Sequence, residues 1–149
     1  MQRLEDADKS LFHYINKASF DLNNYFNRLL NQSSFNINAQ EWILLSHVIE
    51  HPGKNQKWFG ENILKDKTTT MRMIDSLEKK GLIKRIAAGS DRRQNLLYAT
   101  SDGEQLINMT IPFIAEAYKS IFSGIENEQL TMMASLLEEI INKIYILTK

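Results

Sequence analysis

The chain has 149 residues, 43% of them apolar, with 18 basic and 18 acidic side chains and a formal net charge of zero. That length suits one compact protomer with a real core, and no apolar run approaches the roughly 18 residues of a membrane span. There is no cysteine, which excludes disulfide staples, thiolate metal sites and a thiol redox sensor. The acidic, polar start MQRLEDADKS does not read as a signal peptide, so a cytoplasmic protein with no membrane partner is expected. The charge is segregated. From Lys54 to Arg93 there are 11 basic and 5 acidic residues, a balance of +6, and the remainder has 7 and 13, a balance of −6. A basic middle on a neutral-to-acidic scaffold suits a surface that faces nucleic acid.

After a short lead, Leu11, Phe12, Ile15, Ala18, Leu22, Phe26 and Leu29 recur at helical spacing. They predict a long amphipathic helix from Ser10 to about Asn31. Phe20 and Tyr25 widen its apolar stripe, which suits burial against two partners; scattered exposed aromatics are the alternative. The segment NQSSFNIN is a loop. Asn38 followed by Glu41 is a capping box that opens a second helix, with Trp42, Leu45, Val48 and Ile49 inward and a stop at Pro52-Gly53. Asn55 to Leu64 predicts a short third helix anchored by Trp58, Phe59 and Ile63, with Lys65-Asp66 as a tight turn. His47 and His51 stand at i, i+4, spacing that can place two metal ligands on one face. The alternative is a pair of helix-end histidines favoured there by the dipole.

The stretch DKTTTMRMIDSLEKKGLIKR, Asp66 to Arg85, reads as a helix, a glycine stop and the start of a strand. With Ile74 at the centre of the inner face, Thr70, Leu77 and Gly81 share that face, and Lys65, Thr68, Thr69, Arg72, Ser76 and Lys79 lie opposite. Arg can pair bidentately with guanine, and Thr can bond a base edge or touch a thymine methyl. Lys can contact phosphates. Met71 and Met73 blur the inner face. Alone, this helix reads equally well as an ordinary solvated one. Two short helices, a turn and a helix with a polar outer face make a helix-turn-helix. Two short strands follow, around a loop of residues 89–95. Arg92 and Arg93 at its tip suit a narrow minor groove, with Asp91 able to pair with one and aim the other; an ordinary charged turn is the alternative.

Thr100-Ser101-Asp102 caps a fifth helix striped by Leu106, Met109, Phe113, Ala117 and Ile121, and Pro112 should kink or locally break it. A sixth helix, about Asn127 to Leu147, is apolar along much of its surface and needs partners. The wide-striped first helix and the terminal helix pair suggest a dimerisation bundle. The expected fold is mainly α, an α+β winged helix-turn-helix with about six helices and a wing of two or three antiparallel strands. Its divisions are 1–34 (lead and dimerisation helix), 35–100 (DNA-binding region) and 101–149 (dimerisation helices). No catalytic constellation and no phosphate-binding glycine loop is apparent, so an enzyme is not expected.

The run from Asn38 to Gly103 resembles the MarR (multiple antibiotic resistance regulator) family of winged-helix transcription factors. The resemblance lies in Asp66-Lys67-Thr68-Thr69-Thr70 with Leu77-Glu78-Lys79-Lys80-Gly81-Leu82-Ile83, then Arg85, Asp91-Arg92-Arg93, Thr100 and Asp102-Gly103. It implies a homodimeric repressor with interleaved first and last helices on a pseudo-palindromic operator. The major groove would receive Lys67, Thr68, Thr69, Thr70, Arg72, Ser76 and Lys79, and the adjacent minor groove the wing residues Arg85, Asp91, Arg92 and Arg93. It also implies release by a small aromatic or anionic effector in a cleft for which Phe12, His13, Trp42 and Phe113 are candidates. No cofactor is implied. One departure is Phe59-Gly60-Glu61-Asn62-Ile63, where the family commonly has a Glu-Leu-Ala pattern; Gly60 weakens that helix by about 1 kcal/mol relative to Ala. A metal-responsive regulator using His47 and His51 and a winged helix used for protein contacts are the rival readings.

Overall fold

The computed structural model describes the backbone of residues 6–32, 35–62, 67–88 and 91–148, and their side chains apart from residues 6–10, 32 and 91–94. In chain order the elements are α1 (Asp6–Gln32), α2 (Ala39–Glu50), α3 (Gln56–Asn62), α4 (Lys67–Lys79), β1 (Ile83–Ala88), β2 (Asp91–Ala99), α5 (Ser101–Ile121) and α6 (Asn127–Leu147). This is the expected set of helices and hairpin. Ile63, Leu64 and the Lys65-Asp66 turn lie outside the described residues. The backbone forms two units, one up to Ile114 and one from Ala115. No helix among the described residues is long and apolar enough to cross a membrane.

The elements of the first unit begin and end for local reasons. Asn38 Oδ1 accepts the Glu41 N–H at 2.9 Å, and Glu41 Oε2 accepts the Asn38 N–H at 3.0 Å; this is the expected capping box. Asn55 Oδ1 accepts the Trp58 N–H at 2.9 Å and so caps α3. Helix α4 ends in a Schellman motif. The Leu82 N–H donates to the Leu77 carbonyl at 3.0 Å and the Gly81 N–H to the Glu78 carbonyl at 2.9 Å. Gly81 takes φ 73°, a left-handed conformation that favours glycine. Thr100 Oγ1 accepts the Gly103 N–H at 3.1 Å and donates to the Gly81 carbonyl at 2.7 Å, which starts α5 beside the end of α4. A Cβ on Gly103 would stand 2.2 Å from the Leu82 carbonyl oxygen, so any larger residue pushes the start of α5 away from the turn that follows α4.

The core of this unit is one apolar cluster. Leu44, Leu45 and Val48 of α2, Phe59 of α3, Ile74 and Leu77 of α4, Ile83 and Leu97 of the hairpin and Ile107 of α5 are all buried in it. Each such side chain contributes about 1.5–3 kcal/mol on burial. α1 joins through Leu30, with Phe26 and Leu29 packed against the same cluster. Asn27 Oδ1 accepts the Ala39 N–H at 2.8 Å, which ties α1 to the start of α2. Further towards its N-terminus α1 is apolar but uncovered: Leu11, Tyr14 and Phe20 are exposed, and Phe12 is 74% exposed.

The wing is a hairpin with an irregular tip. Pairing runs in register from Ile83 with Ala99 to Ala87 with Asn95, then jumps to Ala88 with Asp91. Residues 92–94 therefore fall in a bulge of β2, a device that bends a strand and re-aims it. The sequence expectation of a loop over 89–95 is corrected: β2 begins at Asp91. A third, very short edge comes from the chain after α2. Asn55 bridges Leu96, the Gly53 N–H donates to the Leu97 carbonyl at 2.9 Å, and the Leu97 N–H to the Lys54 carbonyl at 2.9 Å.

α5 runs through Pro112 as one continuous helix, so of the expected kink or break the break does not occur. The turn before the proline is held by Thr110 Oγ1, which contacts the Leu106 and Ile107 carbonyls at 3.0 and 2.8 Å. In the second unit Tyr118 stacks on Phe122 with ring centroids 5.7 Å apart. α6 has no buried residue, and Met132, Leu136, Ile144 and Leu147 are among its exposed apolar side chains.

Candidate nucleic-acid interface

Burial divides α4 into two faces. Thr70, Met73, Ile74 and Leu77 are buried and fix the helix on the core. Lys67, Thr68, Met71, Arg72, Asp75 and Lys79 are exposed, and Thr69 is half-buried. The outward side thus carries the two bonding types that read base edges, hydroxyl and guanidinium, with lysines at both ends.

Three expected contact residues are turned away from this face. Thr70 is only 1% exposed and belongs to the core side of α4. Ser76 points back to α2, where its Oγ donates to Glu41 Oε1. Arg85 is paired within the fold: its guanidinium donates to Asp75 and Glu78 of α4, and its side chain is 18% exposed. It neutralises two carboxylates on the helix whose outer face carries Arg72 and Lys79, and it fixes β1 against α4. The side chains of Asp91, Arg92 and Arg93 lie outside the described residues; their backbone stands at the bulged tip of the wing.

Behind the outward face sits a carboxylate that sequence reading noticed only as a cap. Glu41 is buried. Its Oε2 accepts from Lys80 Nζ at 2.7 Å as well as from the Asn38 N–H, and its Oε1 from Ser76. Burial alone would raise the Glu41 pKa. The hydrogen bonds from Lys80, Ser76 and the Asn38 N–H, with the Lys80 charge, outweigh it and hold the carboxyl below its ordinary value of 4.5. One ionised group therefore starts α2 and clamps the C-terminal half of α4.

Further basic groups flank α4. Lys84 is exposed on β1, and Lys54 Nζ lies 5.7 Å from the centre of the Trp58 ring, within cation–π range. The His51 ring packs on the same indole at 4.8 Å. His47 Nδ1 lies 3.1 Å from the Ile43 carbonyl oxygen, and the His47 and His51 ring centroids are 6.4 Å apart. Among the described residues no group of three His, Cys, Asp or Glu side chains could hold a metal ion.

The four cleft candidates have different surroundings. The Trp42 indole N–H donates to Thr110 Oγ1 at 2.7 Å, a hydroxyl that is itself buried. Phe113 meets Phe35 edge-on at 5.7 Å and is 47% exposed. The His13 ring meets Tyr14 edge-on at 5.6 Å, and both it and Phe12 are exposed.

A helix-turn-helix whose second helix turns a polar, cationic face outward, followed by an antiparallel wing, defines a winged helix-turn-helix. Residues 35–94 match the model of the MarR family. Solved structures share the fold. The transcriptional regulator SlyA is similar at 22% identity over 90% of this chain and 93% of that one, with a TM-score of 0.80. MepR of S. aureus, solved in complex with DNA, is similar at 19% identity over 89% and 96%, with a TM-score of 0.78. BpsR of Bordetella bronchiseptica, whose DNA binding is regulated by 6-hydroxynicotinic acid, is similar at 20% identity over 88% and 98%, with a TM-score of 0.77.

Proposed function

We propose that this chain is a sequence-specific DNA-binding transcriptional regulator of the cytoplasm, acting as a homodimeric repressor on a pseudo-palindromic operator. The observation that carries this reading is the division of α4: an apolar face seated in the core and an outward face bearing Thr68, Arg72 and Lys79. Arg72 and Thr68 read bases, Lys67 and Lys79 hold phosphates, and Arg92 and Arg93 enter the adjacent minor groove. The apolar side chains that α1 and α6 each leave exposed support a division of labour. Residues 1–34 and 101–149 assemble the dimer, and residues 35–100 bind DNA. A DNA complex and an effector-regulated protein among the similar structures support both the partner and its release by a small aromatic or anionic ligand. Trp42 and Phe113, with Phe12 and His13 of α1, are the groups assigned to that ligand.

The test is binding to duplex DNA from upstream of the protein's own gene against a scrambled duplex, across a salt series. Expected is selective binding by a dimer whose log affinity falls linearly with log salt. Arg72→Ala should cost about 1–3 kcal/mol on the selected duplex and relax its sequence preference. Absence of binding to either duplex at low salt overturns the reading in favour of protein contacts.

A further inference from the structure

Met71 is the one large apolar side chain exposed on α4 among the described residues, at 41%. Its exposure places it at the edge of the outward side: Lys67 and Thr68 precede it by four and three residues and Asp75 follows it by four, all exposed, while Ile74, three residues on, is buried. Its sequence neighbour of like type, Met73, is buried in the core, so the two methionines do different things. The surface around Met71 is cationic, with Lys67, Arg72 and Lys79 exposed on the same helix and Asp75 taken up by Arg85. An anionic partner is therefore the occupant that suits this face, and on it Met71 has no polar group to offer. The major-groove edges of the four base pairs offer donors, acceptors and a single apolar group, the C5 methyl of thymine. A flexible thioether is well suited to cover it.

Resting on the DNA-binding reading above, we infer that Met71 is a specificity-determining residue that selects thymine at one position of each half-site by apolar contact with its methyl group. Arg72 and Thr68 fix the register by hydrogen bonds, and Met71 adds a preference that no hydrogen bond encodes.

The experiment first selects tight duplexes from a random pool with the full chain. Each thymidine of the best duplex is then replaced singly by deoxyuridine, which removes only the methyl group. Affinities are measured for wild type, Met71→Ala and Met71→Leu, with circular dichroism confirming that the variants fold. Expected is at least one thymine per half-site whose methyl is worth about fourfold in affinity to wild type, worth nothing to Met71→Ala, and retained in Met71→Leu. If wild type and Met71→Ala lose affinity alike at every thymine, Thr68 or another group makes the contact and the inference is wrong. It is equally wrong if no thymine methyl matters while selective binding persists. A pool from which no sequence is enriched overturns the DNA-binding reading itself, and the inference with it.

Discussion

Helices α4 and α6 both carry an apolar pattern, yet the chain treats them differently. In α4 the apolar residues other than Met71 are sealed in the core, with Ile74 and Leu77 completely buried. In α6, longer and more apolar, no residue is buried. Apolar periodicity therefore predicts that a helix has a covered face, but it does not say which chain supplies the cover. For α4 the cover is α2, α3 and the hairpin; for α6 it is, on the present proposal, a second copy.

The sharpest way to break this comparison is to damage both helices and watch different observables. Ile74→Ala removes a buried side chain from α4 and should cost about 2–5 kcal/mol, seen as a lower urea midpoint. The paired change Leu137→Glu with Ile141→Glu places charge on the exposed apolar side of α6. It should raise the dimer dissociation constant at least about 100-fold, since each of the two protomers loses two apolar burials, while the chain keeps its helical signal. Sedimentation that shows an unchanged dimer would remove α6 from the interface.

Two smaller changes probe what seats α4. Glu41→Gln weakens the clamp on Lys80 and should cost about 1–3 kcal/mol at neutral pH. The folded pKa of Glu41 lies below 4.5, so its contribution is complete above that value and is lost as pH falls through the folded pKa. The variant should therefore show a flatter acid limb below about pH 4.5 than wild type in thermal melts. An identical acid limb would mean that the clamp does not stabilise. The smallest effect is a gain. Gly60 lies in α3, where an added Cβ would find its nearest neighbour, Thr70 Oγ1, at 4.0 Å. Gly60→Ala should raise stability by up to about 1 kcal/mol, readable as a small rise in Tm.

Much of this architecture was legible because its signals are local. Asn38 and Glu41 announce the start of α2, and Gly81 the end of α4, through contacts spanning a few residues. The inner face of α4 through Thr70, Ile74 and Leu77 followed from spacing alone, but spacing did not separate the two methionines: the structure buries Met73 and leaves Met71 exposed. The partners of Ser76 and Arg85 were not legible for a different reason. Each sits near the margin of a surface, and its direction is decided by an acid elsewhere in the fold, Glu41 for Ser76 and Asp75 with Glu78 for Arg85. A list of cations and hydroxyls cannot tell a group that faces DNA from one already engaged. The same holds for Trp42, whose indole partner Thr110 lies 68 residues away.

The shared oxygen of Glu41 has a consequence for motion. Oε2 accepts from both the Asn38 N–H and Lys80 Nζ, so fraying of the first turn of α2 and loosening of the far end of α4 draw on the same acceptor. They are expected to open as one cooperative unit. Amide protons at those two places, far apart in sequence, should exchange with solvent at matched opening free energies, and a ligand or mutation that protects one should protect the other.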